Sequence, residues 1–253
     1  MTNRIKIYPF CGGHSPGPRS TGEVGMGIEA DLYPVGLIIA HRPCLVVGGG
    51  RVAARKIAGL LSCGADVTVV APEAHVAIGL LAEAGAFTEL PDPHLTVHLR
   101  PYRPGEAADY RLVVTATGDP AVDAQVYRDA DEAGVWVNSA DDPDHCTVIL
   151  PAVTRDGPVS VAISTGGTSP ALASWLRRRI TDAIGPGLGP LAELLGEARE
   201  RIHARGGSTE TVDWAALLDG PLPALVRQDR LDEARLILDA AVDSATPAPG
   251  HEG

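Results

Sequence analysis

Cys44-Leu45-Val46-Val47-Gly48-Gly49-Gly50-Arg51-Val52-Ala53-Ala54-Arg55-Lys56 passes from a short apolar strand through three glycines straight into a helix-forming segment. Each residue type has a use in a βαβ unit that holds a dinucleotide. Gly48 makes the tight turn, Gly50 lets the backbone approach a pyrophosphate, and Ala53 allows close packing of helix on strand. Arg51 and Val52 open the helix, whose amino-terminal amides and positive dipole favour phosphate. A glycine pattern of this kind is weak alone. Here a second strand, Asp66–Ala71, returns after one helix length, as the unit requires.

Strand and helix signals continue to alternate from Tyr33 to about Asp142. The first helix, Val52 to about Cys63, stops at Gly64, and a second helical stretch, about Glu73 to Ala84, stops at Gly85. Strands are expected at His94–Arg100, Arg111–Thr117 and Val135–Asn138, with a helix from Pro120 to Ala133 before the last. Arg111–Thr117 is nearly all apolar at its centre, as suits a strand covered on both faces. The expected class is therefore α/β, a Rossmann-like doubly wound parallel sheet over residues 32–144. The pattern then changes. Thr147–Val153 and Val159–Ser164 read as two strands joined by Arg155-Asp156-Gly157-Pro158, and a helix follows from about Ala171 to Ile184. Residues 145–185 thus read as a small α+β region. Gly185–Pro190 reads as a breaker before a helical domain, 186–243, with helices near Leu191–Arg205, Val212–Leu218 and Gln228–Val242. Residues 1–31 read as a loose extension and 244–253 as a frayed tail.

Composition narrows the function classes. A net charge of −11 argues against a nucleic-acid partner, which would want a basic face. No apolar run has membrane-spanning length and no secretory signal is evident, so no membrane partner is expected. The four cysteines, Cys11, Cys44, Cys63 and Cys146, form no C-x-x-C pair, which fits a reducing cytoplasm. Cys11 and His14 lack further ligands beside them, and no metal site is assigned. Of 21 basic residues only Lys6 and Lys56 are lysines; arginine is the better fork for carboxylates.

Candidate site residues collect at the ends of strands. Pro72 and Glu73 follow the second strand; Glu73 either accepts bonds from an adenosine ribose or is an exposed helix-start residue. Thr115-Ala116-Thr117-Gly118-Asp119 turns the corner after the fourth strand, facing the nicotinamide half, with Thr117 or Asp119 as helix cap. Asn138-Ser139-Ala140-Asp141-Asp142-Pro143 ends the fifth strand on the same edge, where a carboxylate is either a general base, a partner for substrate cation character, or a turn residue. His145 and Cys146 either join Asp141 as ligands or split, with Cys146 packed and His145 exposed. Ser164-Thr165-Gly166-Gly167-Thr168-Ser169-Pro170 leads into a helix, its glycines offering backbone donors to an anion and Thr168 or Ser169 capping. Arg177, Arg178 and Arg179 follow on that helix.

Taken together, these segments resemble the bifunctional precorrin-2 dehydrogenase / sirohydrochlorin ferrochelatase family, which is also the amino-terminal half of the siroheme synthases. The resemblance covers about Tyr33 to Arg205 and rests on the glycine turn, the Asn138–Pro143 corner, Pro151-Ala152 and the Ser164–Ala173 segment. It implies NAD-dependent oxidation of precorrin-2 to sirohydrochlorin, with ferrous iron (or cobalt) as a chelation substrate in some members. It places NAD against Gly48, Gly49, Gly50, Arg51, Val52, Pro72, Glu73, Thr115, Thr117 and Gly118. It makes Asp141 the catalytic aspartate, taking protons from the macrocycle, and puts the tetrapyrrole against Asn138, Ser164, Thr165, Gly166, Gly167 and Thr168. Thr165 falls where siroheme synthases place a phosphorylatable serine. A homodimer paired through the region from about 145 to 185 is implied. The chain departs from the family at Thr147-Val148-Ile149-Leu150, where an aromatic residue is usual. Two rival functions are a non-catalytic NAD(H)- or tetrapyrrole-sensing module and a chelatase without dehydrogenase chemistry.

Overall fold

Period-two alternation of apolar side chains builds the main layer, its three central strands feeding two cores. The computed structural model describes residues 32–85, 95–140 and 142–246. Strands β1 (Pro43–Val47), β2 (Asp66–Ala71), β3 (Leu95–Leu99), β4 (Leu112–Thr115) and β5 (Trp136–Ser139) form one parallel sheet in the order β3-β2-β1-β4-β5. Helices α1 (Arg51–Leu61), α2 (Val76–Gly85) and α3 (Pro120–Glu132) are the crossovers. Cys44, Val46, Val67, Val69, Leu112 and Val114 meet Ile57 and Leu60 of α1 and Ile78 of α2 on one face. Leu45, Val47, Val70 and Val113 meet Val126 and Ala130 of α3 on the other. Coverage on both faces explains why these strands read as continuous apolar runs. The doubly wound α/β expectation holds. Burial pushes the Cys44 thiol up to about 11, with the Asp66 carboxylate adding to it, so this cysteine is a small hydrophobe rather than a nucleophile.

Strand order reverses between β1 and β4, and the crevice above their carboxyl ends is where such sheets bind ligands. The second helix begins at Val76 rather than near Glu73, because the 72–75 peptide is pressed on the glycine turn, with His75 N donating to Gly49 O at 2.7 Å.

The strand expected at Thr147–Val153 is not formed over that range. Thr147 N and Val148 N both donate to Val137 O (2.9 and 3.1 Å), while Val137 N donates to Thr147 Oγ1 (2.8 Å). A side chain thus takes a ladder position, and the segment becomes a strap covering the free edge of β5. Val148 and Leu150 pack against the α1–α2 core. Only past Pro151 does a true hairpin form, β6 (Ala152–Asp156) antiparallel to β7 (Val159–Ile163), followed by α4 (Pro170–Ile184).

The expected breaker at Gly185–Pro190 is also revised. Helix α5 (Leu188–Ala204) starts inside it, carrying Gly189 and Pro190 in its first turn. Its cap comes from far away: Asp156 Oδ2, in the hairpin, accepts Gly187 N (2.9 Å) and Leu188 N (2.7 Å). Bonds from the Gly189, Leu188 and Gly187 amides hold the Asp156 carboxyl below its ordinary range. A Cβ on Gly189 would lie 3.0 Å from Asp156 backbone atoms, a tight contact that glycine avoids.

Helices α5, α6 (Trp214–Asp219), α7 (Leu222–Arg227) and α8 (Leu231–Ala245) enclose their own core of Leu191, Leu194, Ile202, Leu222, Leu238 and Val242. Ion pairs Arg201–Asp239 and Arg205–Asp243 lace α5 to α8 at 2.6 and 2.7 Å. Helix α7 lies between the helices expected near Val212–Leu218 and Gln228–Val242; Pro221 precedes it and Pro223 sits in its first turn, where a proline fits. Among the described residues no helix is long and apolar enough to cross a membrane.

Candidate active site

The three glycines serve three different ends. Gly48 sits at φ +127°, its N–H donating to Val70 O (2.9 Å), and an added Cβ would come 2.3 Å from Ala116 O. At Gly49 a Cβ would lie 1.8 Å from Glu73 O, so this glycine exists to let the β2–α2 loop cross. Nothing lies within 4 Å of a Cβ at Gly50, and no side chain caps α1, whose first turn holds no acidic residue. The early amides of α1, next to Arg51 and Val52, therefore face open space with positive dipole and no competing carboxylate. That arrangement fits a pyrophosphate. Glu73 and Pro72 are exposed beside it at the end of β2.

Across the switch point, Asp123 of α3 organises the corner after β4. Its Oδ1 accepts the hydroxyls of Thr115 and Thr117, the latter at 2.7 Å, and Thr117 N at 3.4 Å. Thr115, expected among the cofactor contacts, is fully buried and its hydroxyl is spent on Asp123. Asp119, not Thr117, caps α3, accepting Ala121 N (2.9 Å) and Val122 N (3.4 Å). Gly118, at φ +75° with free space around it, leaves the backbone of this corner open. Asp123 was missed in the sequence; its signal is a carboxylate one helical turn beyond the Thr-x-Thr-Gly-Asp corner.

Asp141 lies outside the described residues, but both sides of its corner are placed. Ala140 N donates to Thr115 O at 2.9 Å. Cys146 Sγ accepts Ser139 N at 3.1 Å and lies 3.3 Å from Asp142 O, tying the corner's ends together. Burial raises this thiol, and the Ser139 N–H opposes the rise. Asn138, expected at the tetrapyrrole, is buried; its Nδ2 donates to Val148 O (3.0 Å) and its Oδ1 has no partner. His145 differs from the exposed residue expected: it is half-buried, its Nδ1 2.6 Å from Asp142 Oδ2 and its ring edge-on to Tyr127.

The Ser164–Thr168 segment is bonded to itself. Ser164 Oγ accepts Gly166 N (3.2 Å), Thr165 Oγ1 accepts Ser169 N (3.2 Å), and Thr168 N donates to Thr165 O (3.1 Å). Gly166 and Gly167 take φ +61° and +79°, and Ser169 rather than Thr168 caps α4 through Leu172 N. Among the described residues no three His, Cys, Asp or Glu side chains gather as a metal site. Cys11 and His14 lie outside the described residues. A groove of about 480 Å³ lined by Arg42, Arg111 and Trp136 opens at the opposite, amino-terminal edge of the sheet, away from the glycine turn.

Comparison with known proteins agrees with this geometry. A family profile for NAD(P)-binding domains matches residues 35–152, and one for the central part of sirohaem biosynthesis proteins matches residues 156–183. The siroheme synthase of Methylococcus capsulatus is 38% identical over 217 residues, 85% of this chain. Over most of its length the chain is similar to the siroheme synthases. The Nitrosomonas europaea siroheme synthase is 37% identical over 218 residues, again 85% of this chain. The chain spans 44% of the length of each of these two curated relatives. Among solved structures, the precorrin-2 dehydrogenase SirC is matched with a TM-score of 0.63 and 26% identity, over 84% of this chain and 100% of that one.

Proposed function

We propose that this chain oxidises precorrin-2 to sirohydrochlorin with NAD as hydride acceptor. The carrying observation is the uncapped, unobstructed start of α1 at Gly50, at the sheet's switch point. The likeness to siroheme synthases and to SirC supplies the substrate. Gly50, Arg51 and Val52 would hold the pyrophosphate, and Glu73 the adenosine ribose. Pro72-Glu73-Ala74-His75 follows β2 with no Lys or Arg for a 2′-phosphate, which favours NAD over NADP. Once bound, the nicotinamide supplies the acceptor carbon for hydride. Asp141 is the catalytic aspartate by its place in the family motif, and the Ser164–Thr168 segment is the macrocycle's second contact.

The hairpin and α4 support a homodimer. Among their described residues only Ile163 and Ala173 are buried apolar side chains, while Leu172 and Trp175 on α4 remain 47% and 50% exposed. A two-stranded sheet of this kind is marginal without further cover. Ferrous iron or cobalt would enter as a second substrate, and the free Cys44, Cys63 and Cys146 fit a cytoplasmic setting.

The test is anaerobic absorbance of the protein with precorrin-2 and NAD, for the native chain and Asp141→Asn. NADH and sirohydrochlorin should appear together and fail in the variant, with NAD affinity retained. NAD binding without turnover would instead support a sensing module. Metal insertion into sirohydrochlorin without NADH production would support a chelatase alone.

A further inference from the structure

A ribose hydroxyl both gives a hydrogen bond and takes one. The ionised carboxylate of Glu73 only accepts, so it answers the giving half alone. A donor is needed beside it on the β2–α2 loop. Between Lys56 and Arg100 the sequence holds no lysine or arginine, so no cation of this stretch supplies it. His75 does. Its backbone N–H donates to Gly49 O at 2.7 Å, which pins the residue to the glycine turn. Glu73 lies against the same glycine, whose Cβ would meet Glu73 O at 1.8 Å. The α1 amides assigned to the pyrophosphate begin two residues beyond, at Arg51. The ring of His75 is oriented as well. Its Nδ1 accepts Ala77 N at 3.2 Å and its carbonyl accepts Ile78 N at 2.8 Å, so the residue caps the first turn of α2. A ring nitrogen that accepts an amide proton carries none of its own, which puts the ring N–H on Nε2. Among the described residues nothing accepts from Nε2, and the residue is exposed. While the cap is made the ring is a neutral donor, suited to a hydroxyl and without charge for a phosphate.

We propose that His75 is a specificity residue of the cofactor site: its Nε2–H donates to the 2′-oxygen of the adenosine ribose while Glu73 accepts the proton of that hydroxyl. This rests on the NAD-binding reading above and names what selects the cofactor there. A 2′-phosphate has lost the proton that Glu73 accepts and brings about two negative charges against that carboxylate. In His75 it meets a donor without charge. The two residues therefore choose NAD over NADP by an unanswered carboxylate and by repulsion, since a site built for a hydroxyl rejects a group that lacks its proton.

The experiment titrates NAD, NADP and 2′-deoxy-NAD into the native chain, His75→Asn and His75→Arg by calorimetry, with thermal melting as control. Asparagine keeps the cap, because its Oδ1 accepts Ala77 N, but it is too short to set a donor where Nε2 stands. His75→Asn should melt as the native chain does and bind NAD about 3–10-fold more weakly. The native chain should bind 2′-deoxy-NAD about tenfold more weakly than NAD, and this ratio should shrink in His75→Asn. His75→Arg places a cationic fork on the loop and should raise NADP affinity about tenfold or more. Native NAD affinity with an unchanged ratio in His75→Asn would reduce His75 to a helix cap and overturn the assignment, leaving the dehydrogenase reading intact. Equal affinity of the native chain for NAD and 2′-deoxy-NAD, or for NAD and NADP, overturns it without recourse to any variant. A native chain that binds neither dinucleotide overturns both readings.

Discussion

Gly49 and Gly50 are adjacent and chemically identical, yet they fail in different ways. A methyl on Gly49 would overlap the Glu73 carbonyl at 1.8 Å, a backbone atom that cannot swing aside. Gly49→Ala should destabilise the fold by about 1–3 kcal/mol or more, read by urea unfolding. Gly50 has φ −81° and empty space, so Gly50→Ala should cost under about 1 kcal/mol of stability and instead weaken NAD binding tenfold or more, read by titration. The glycine run pointed correctly to a turn and an anion site, but the division of labour was hidden, because Gly49's constraint comes from a loop 24 residues away in sequence. Asp123 was hidden for a related reason. A carboxylate on a helix surface looks solvated unless the buried threonine beneath it is known. Asp123→Ala strands the buried Thr115 hydroxyl and should cost about 1–3 kcal/mol by the same unfolding measurement.

Among the elements, the sheet was legible and the connections were not. Strands β1 and β2 carry their own period and flanking glycines, so their bounds follow from local pattern. The strap at Thr147–Leu150 carries the same apolar content, but its partner is an edge and a threonine hydroxyl, which no periodicity records. The start of α5 was likewise unreadable, since its cap sits 31 residues upstream in Asp156. The amides bonding Asp156, Gly189's foremost, depress its folded pKa, so its contribution is present above the unfolded value of about 4 and is lost as pH falls through the lower, folded one. Asp156→Asn should therefore melt earlier than the native chain at pH 7, and the gap should close well below pH 4; calorimetry at both pH values checks the sign. If the homodimer proposed above pairs through α4, Trp175→Asp should convert it to a monomer in light scattering, and an unchanged mass would dismiss that face as the contact.

At the scale of the whole molecule, the sheet's two cores and the helical core share no member, so damage to one should stay local. Leu222, fully buried between α5 and α8, should cost about 2–5 kcal/mol as Leu222→Ala while NAD affinity holds, read by calorimetry beside a cofactor titration. The joint between the parts lies at the hairpin tip. A Cβ on Gly157 would sit 3.0 Å from Gly189 Cα, and Asp156 holds the amides beside it. The helical unit thus takes its bearing from the hairpin rather than from the sheet. In a dimer paired through the hairpin, each set of helices would ride with its own hairpin like a rudder on its post, and a change of grip between the two copies would steer both.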